Sequence, residues 1–246
     1  MTSLLRAELL KLRTTRTFAA LVGAALALSL IVVVLTASLG NDWSAQNTRN
    51  LFTSNFTGLF ILLLGVMGMA GEWRHRTISA TILAAPNRLR LLTAKTLSYA
   101  AAGALLSLIV TLTIMLVGTI ILAGRGIDTA PLSDLADVLW RDLVVAALLG
   151  ALGVGIGAVL RNQVVAIIAV LVLGFVLEPA LYGLVPEVGR YGPTVIAPSA
   201  IVDVSPFGES ADETLLSPAP AVLVMLGWIA LFFAAAAVRL RSRDLV

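Results

Sequence analysis

Apolar residues run along this chain in six long blocks, at 18–39, 51–70, 96–123, 139–160, 164–185 and 219–238, and most of the charge lies between them. A bilayer's hydrocarbon core is about 30 Å thick and a helix rises about 1.5 Å per residue, so roughly 20 apolar residues cross it. Each block has that reach, and each must be helical because lipid offers no partner to an unpaired backbone amide. The expected fold is an all-α integral membrane protein of six spans. With the crossings using up most of its length, residues 1–246 form a single membrane domain.

Charge then sets the expected orientation. Arg6, Lys11, Arg13 and Arg16 precede the first span, and Arg74, Arg76, Arg88, Arg90 and Lys95 fill the second connection. With Arg161, Arg239, Arg241 and Arg243 they make 13 of the 17 Lys and Arg, and they mark the cytoplasm, with both termini inside. Arg49, Arg125, Arg141 and Arg190 fall opposite, with most acidic residues. A hydrophobic share of 59% and mean hydropathy of +0.99 exclude an ordinary soluble domain, whose apolar share is about 45–50%. The pI near 9.8 reflects helix-end residues and does not argue for nucleic acid as a partner. Arg outnumbers Lys by 15 to 2 and Ala is abundant, a bias of GC-rich bacterial genomes that points to a bacterial plasma membrane. The first apolar block is too long for a signal-peptide core and is expected to be retained.

Two expected cytoplasmic segments stand out. Over residues 2–16, Leu5, Leu9 and Leu12 recur at i, i+4, i+7 with Arg6 and Arg13 on another face. This predicts an interfacial helix that braces the bundle, or a basic flank that only fixes topology. The second connection, Gly71 to Lys95, is longer than a helix hairpin needs. Thr77 can cap a short helix in which Ile78, Ile82, Leu83 and Ala85 share a side, and Pro86 ends it. Such a helix suits a partner's groove, or lies flat on anionic lipid.

The N-terminal LLRAELLKLRTTRT, the triplet Glu72-Trp73-Arg74, the following RTISATILAAPNRLRLLTAK and the six-span plan resemble the permease subunits of ABC-2 type export transporters. The resemblance implies that residues 76–85 form a coupling helix seated in a cleft of a separate cytosolic ABC ATPase. Glu72 would stand at the hinge, and Arg74, Arg76, Thr77, Ile78, Ile82, Leu83 and Arg88 would make the coupling surface. It further implies a second permease copy or a similar permease as dimer partner, and short re-entrant helices within residues 186–218. Many members carry Gly before the Thr-Ile pair, where this chain has Arg76.

Inside the spans, Glu178 is the ionisable residue expected at depth. It is read either as a contact for a cationic or amphipathic substrate or a proton, or as a residue in a water-filled outer vestibule where Pro179 breaks the helix. Asn55 and the mid-span Trp228 join it as candidate lining of the substrate path, with cavity filling as the alternative for Trp228. Gly153 and Gly157 stand in GxxxG register and point to close helix packing, within the bundle or between copies. His75 is the sole histidine and Cys is absent, so metal and Ser-His-Asp sites lack parts. No GxxxxGK[ST] loop occurs, so the chain is not expected to hydrolyse ATP or bind a cofactor itself. ATP and Mg would enter through the partner ATPase. The function expected is ATP-driven efflux of an amphipathic substrate. An ion-coupled carrier using Glu178, or a membrane anchor or sensor for an ATPase, are the rivals.

Overall fold

The computed structural model describes residues 2–41, 43–77, 87–128, 130–206 and 215–241, and every regular element among them is helical. In chain order these are α1 (Thr2–Thr14), α2 (Arg16–Leu39), α3 (Ala45–Thr53), α4 (Thr57–Arg74), α5 (Arg88–Gly124) and α6 (Leu132–Leu160). They are followed by α7 (Gln163–Leu184), α8 (Pro186–Gly189), α9 (Ile196–Val202) and α10 (Pro218–Arg241). Six stretches are long and apolar enough to cross a membrane, namely α2, α3 with α4, α5, α6, α7 and α10.

Helix α6 is the axis of the bundle. Its most apolar window is 67% buried, against 17% for α2 and α10, and it packs chiefly on α4 and α5. The rim helices turn Ile31, Leu35, Ile168, Val176, Leu223 and Leu231 outward, an apolar surface too extensive for water and suited to hydrocarbon.

Close backbone approach makes the α4–α6 contact. A Cβ on Gly153 would lie 2.4 Å from the Leu62 carbonyl oxygen, and one on Gly157 would lie 2.7 Å from that of Val66. The GxxxG pair therefore faces α4 within this chain. Small-to-large changes in such a seam cost about 1–3 kcal/mol, so Gly153→Ala is expected to lower the apparent unfolding temperature in detergent and Gly153→Leu to abolish recovery of folded protein. Wild-type thermal stability in Gly153→Leu would be incompatible with this seam.

Three features depart from the apolar pattern. The predicted second span, 51–70, is broken at Ser54–Phe56. There the Ser54 hydroxyl donates to the Asn50 carbonyl (2.6 Å), and Asn55 Oδ1 accepts from the Thr57 amide (3.0 Å), starting α4 afresh. The predicted third span, 96–123, belongs to a helix of 37 residues that starts at Arg88. Asn87 caps it, accepting from the Arg90 amide at 3.1 Å. In α7 the expected break at Pro179 is replaced by a π turn over Leu173–Leu177, with the Glu178 amide donating to the Leu173 carbonyl five residues back. The wider turn accommodates a proline that lacks an amide and crowds the preceding carbonyls.

Candidate functional site

Where α1 crosses the end of α4 and the start of α5, four charged side chains meet. Lys95 Nζ on α5 lies 2.7 Å from Glu8 Oε2 on α1 and 2.8 Å from Glu72 Oε1 on α4. Lys11 Nζ closes the group from α1, 3.0 Å from Glu8 Oε1 and 3.3 Å from Glu72 Oε1. The Lys95 side chain is 1% exposed and the two carboxylates 4% and 7%, whereas Lys11 is 53% exposed. Lys95 also stands 5.9 Å over the Tyr99 ring, within reach of a cation–π contact. Burial pushes the Glu8 carboxyl up, but the Lys95 and Lys11 ammonium groups outweigh it and hold it below the usual carboxylate range. A cavity of about 650 Å³ borders this group, walled by α1, α2, α4 and α5.

This arrangement corrects the sequence reading of Lys95 and Leu9 and gives Glu72 a partner. Lys95, counted among the loop charges that set topology, is a core residue. Glu72, expected at the hinge, lies in the last turn of α4 and turns its carboxylate inward to Lys95. Among the described side chains of α1 the buried ones are Glu8 and Leu12, while Leu9 is 46% exposed, so ion pairing takes precedence over the Leu5-Leu9-Leu12 stripe. Glu8 was not singled out from sequence. The available signal was an acid facing inward on a helix whose other charges are basic.

One turn from the ion cluster, α4 ends in a Schellman motif. The Arg76 amide donates to the Trp73 carbonyl (3.2 Å) and the Thr77 amide to that of Glu72 (2.9 Å). Arg76 sits at φ 55°, a left-handed conformation that costs a residue with a side chain about 1–2 kcal/mol and that glycine adopts freely. Arg74, His75, Arg76 and Thr77 are all exposed, and Arg74 Nη1 reaches Gln163 Oε1 at 3.4 Å. Arg88, grouped with the coupling surface from sequence, is the first residue of α5. Ile78, Ile82 and Leu83 lie outside the described residues.

At the opposite end of α4, the short helix α9 is held at both ends. Glu178 Oε1 accepts from the Thr194 amide (2.7 Å) and hydroxyl (2.5 Å), and Oε2 accepts from the amides of Val195 (2.8 Å) and Ile196 (3.1 Å). At the other end Arg141 Nη1 donates to the Ile201 carbonyl (3.1 Å) and Arg49 Nη2 to that of Val202 (3.3 Å). Asp137 joins the two arginines, at 2.8 Å from Arg49 and 2.9 Å from Arg141. A seven-residue helix is marginal alone; negative charge at its N-terminus and positive charge at its C-terminus both favour it. Arg49 and Arg141, exceptions to the basic-side count, thus have a structural task.

Glu178 is 2% exposed, so the expected water-filled vestibule is corrected: both its oxygens are engaged by α9. Trp228 donates from Nε1 to the Tyr191 carbonyl at 2.9 Å and stacks on Phe232, lining neither of the two cavities described. Asn55 does line one, a cavity of about 190 Å³, together with Asp142. Asp142 was overlooked because it stands just inside the predicted fourth span, next to Arg141. Its Oδ2 gathers Asn55 Nδ2 (3.0 Å) and the Thr111 hydroxyl (2.9 Å).

The sequence model of a family described as ABC-2 family transporter protein matches residues 4–177, from α1 into the π turn of α7 and across both the ion cluster and the Asn55–Asp142 contact. No curated protein matches the chain. The match covers well over half of the sequence and agrees with the all-helical, six-span architecture, and on this evidence the chain belongs to the ABC-2 family of transporter proteins.

Proposed function

We propose that this chain is the membrane-spanning permease subunit of an ATP-driven ABC exporter in a bacterial plasma membrane. It works as a dimer, with itself or with a similar permease, on two copies of a separate cytosolic ATPase that binds ATP and Mg. Its termini and the Arg74–Thr77 turn face the cytoplasm, and the cargo is amphipathic. The observation that carries this reading is the position of the ion cluster, one turn from that exposed turn. A push on the segment after Thr77 would reach α4 directly, and α1 and α5 through Glu72, Lys95 and Glu8, so the three helices would move as one lever. Buried, geometrically fixed pairs suit that task better than exposed ones, which contribute little.

The coupling surface is tested by Ile78→Asp with Ile82→Asp, two charges on the apolar side of the 76–85 segment. The doubly substituted chain is expected to insert normally and to lose co-purification with its ATPase; retention of the ATPase would remove this surface from the mechanism. Transport is tested in vesicles holding both subunits. ATP depletion at a held proton gradient is expected to stop efflux, and collapse of the gradient at constant ATP to leave it. An ion-coupled carrier gives the reverse, but the residue that motivated it, Glu178, already has four donors on its carboxylate.

A further inference from the structure

The 190 Å³ cavity lies between the start of α4, α6, α7 and α9, at the end of α4 remote from the ion cluster. Most of its wall is apolar, including Leu59, Val145, Val170, Phe175, Val195 and Pro198. Its polar groups are mainly spent on the protein itself. The Thr53 hydroxyl donates to the carbonyls of Arg49 and Asn50, and the Thr194 hydroxyl to Glu178. Asn55 uses its Oδ1 on the Thr57 amide and its Nδ2 on Thr53 and Asp142.

Asp142 is the exception. It is 7% exposed, and both of its donors among the described residues, Asn55 and Thr111, reach Oδ2, leaving Oδ1 without one. Among the described residues no cation pairs with it, and the neighbouring Arg49 and Arg141 are engaged by Asp137. An ionisable group within a span is costly unless paired and marks a functional position.

We infer that this cavity binds the protonated amine of an amphipathic ligand, with the ammonium on Asp142 Oδ1 and the apolar stem along Val170 and Phe175. A metal ion is a poorer fit. Hard cations take about six oxygen ligands, and beyond Asp142 the wall offers chiefly the Ser199 hydroxyl. At about 190 Å³ the space falls below the roughly 300–1,000 Å³ of sites that enclose whole drug-sized ligands, so it takes the amine and the first part of the stem. This inference rests on the reading of the chain as a transport subunit, and names its substrate class as cationic amphiphiles.

The test uses the full chain alone in lipid nanodiscs, with n-hexylammonium chloride as probe, n-hexanol as the neutral control, sodium chloride as the inorganic control and empty nanodiscs as the partition blank. Saturable binding of hexylammonium is expected, with none of hexanol and no competition from sodium. Asp142→Asn is expected to weaken it at least tenfold, and Val145→Phe, which fills the cavity and keeps the carboxylate, to weaken it similarly. Absence of binding by the wild-type chain, equal binding of hexanol, competition by sodium, or undiminished binding by either variant overturns the inference. Should Asp142→Asn fail to fold, the wild-type ligand comparison and Val145→Phe still decide. Because no ATPase is present, amine binding without ATP-driven efflux would retire the exporter reading and leave the site. Efflux with no amine binding would do the opposite.

Discussion

Replacing Lys95 with Met is expected to leave two buried carboxylates without their nearest cation. Lys95 is a side chain of similar length to Met whose ammonium stands 2.7 Å from Glu8 and 2.8 Å from Glu72. Without it the two carboxylates share one buried site with only the largely exposed Lys11 between them. Breaking a buried pair by removing one partner costs about 3–5 kcal/mol, which for a chain of this size corresponds to a fall of roughly 10 °C in apparent unfolding temperature. Loss of amide protection over α1 should accompany it, since Glu8 is the buried polar tie of α1 to the bundle and its main partner is Lys95. The triple variant Glu8→Gln, Glu72→Gln, Lys95→Met removes the whole charge group and is expected to recover much of the loss, because a buried ion cluster replaced as a unit is often near neutral. A wild-type melting temperature for Lys95→Met would show that the cluster holds nothing together.

The same cluster gives a pH dependence of defined sign. Glu8 titrates below its ordinary range in the folded protein. Its contribution is therefore fully present above the unfolded carboxylate pKa and is lost as pH falls through the lowered folded value. Release of α1 on acidification, followed by hydrogen exchange, is expected in the wild type and absent in the triple variant.

Glu178→Ala is the second large effect. It removes the acceptor of three backbone amides, those of Thr194, Val195 and Ile196, and of the Thr194 hydroxyl. Each buried donor left without a partner costs about 1–3 kcal/mol, so a loss of about 3 kcal/mol or more is expected. Glu178→Gln is no remedy, since its amide nitrogen would meet donors where the wild type presents an acceptor. The damage should be confined: amides over 194–204 lose exchange protection while those of α4 and α6 keep theirs. Unchanged protection there in both variants would argue that α9 is held by its apolar contacts alone. A proton carrier would also fail on Glu178→Gln, but through coupling, with α9 intact.

The span pattern was legible because the bilayer imposes one dominant rule. A block of roughly 20 apolar residues has one way to satisfy its backbone, and no distant residue has to be known to see it. The GxxxG register at Gly153 and Gly157 was legible as close packing for the same local reason, although its partner, α4, was not. Asn55 was found as a polar residue in an apolar block. Its purpose was not, because Asp142 and Thr111 come from other helices.

What the sequence determined by itself is therefore the helical class, the number of membrane-length helices and, in Glu178 and Asn55, part of the set of residues whose chemistry is out of place in lipid. Local composition and the transfer free energy of each block suffice for those. The tertiary structure decided which charges are neutralised and by whom. Glu8 finds Lys95 across 87 residues, Glu178 finds an amide array 16 residues on, and Asp142 finds only hydroxyl and amide donors. Coulomb energy and desolvation depend on distances of a few ångströms and on burial. Those quantities come into being only when helices remote in the chain pack side by side.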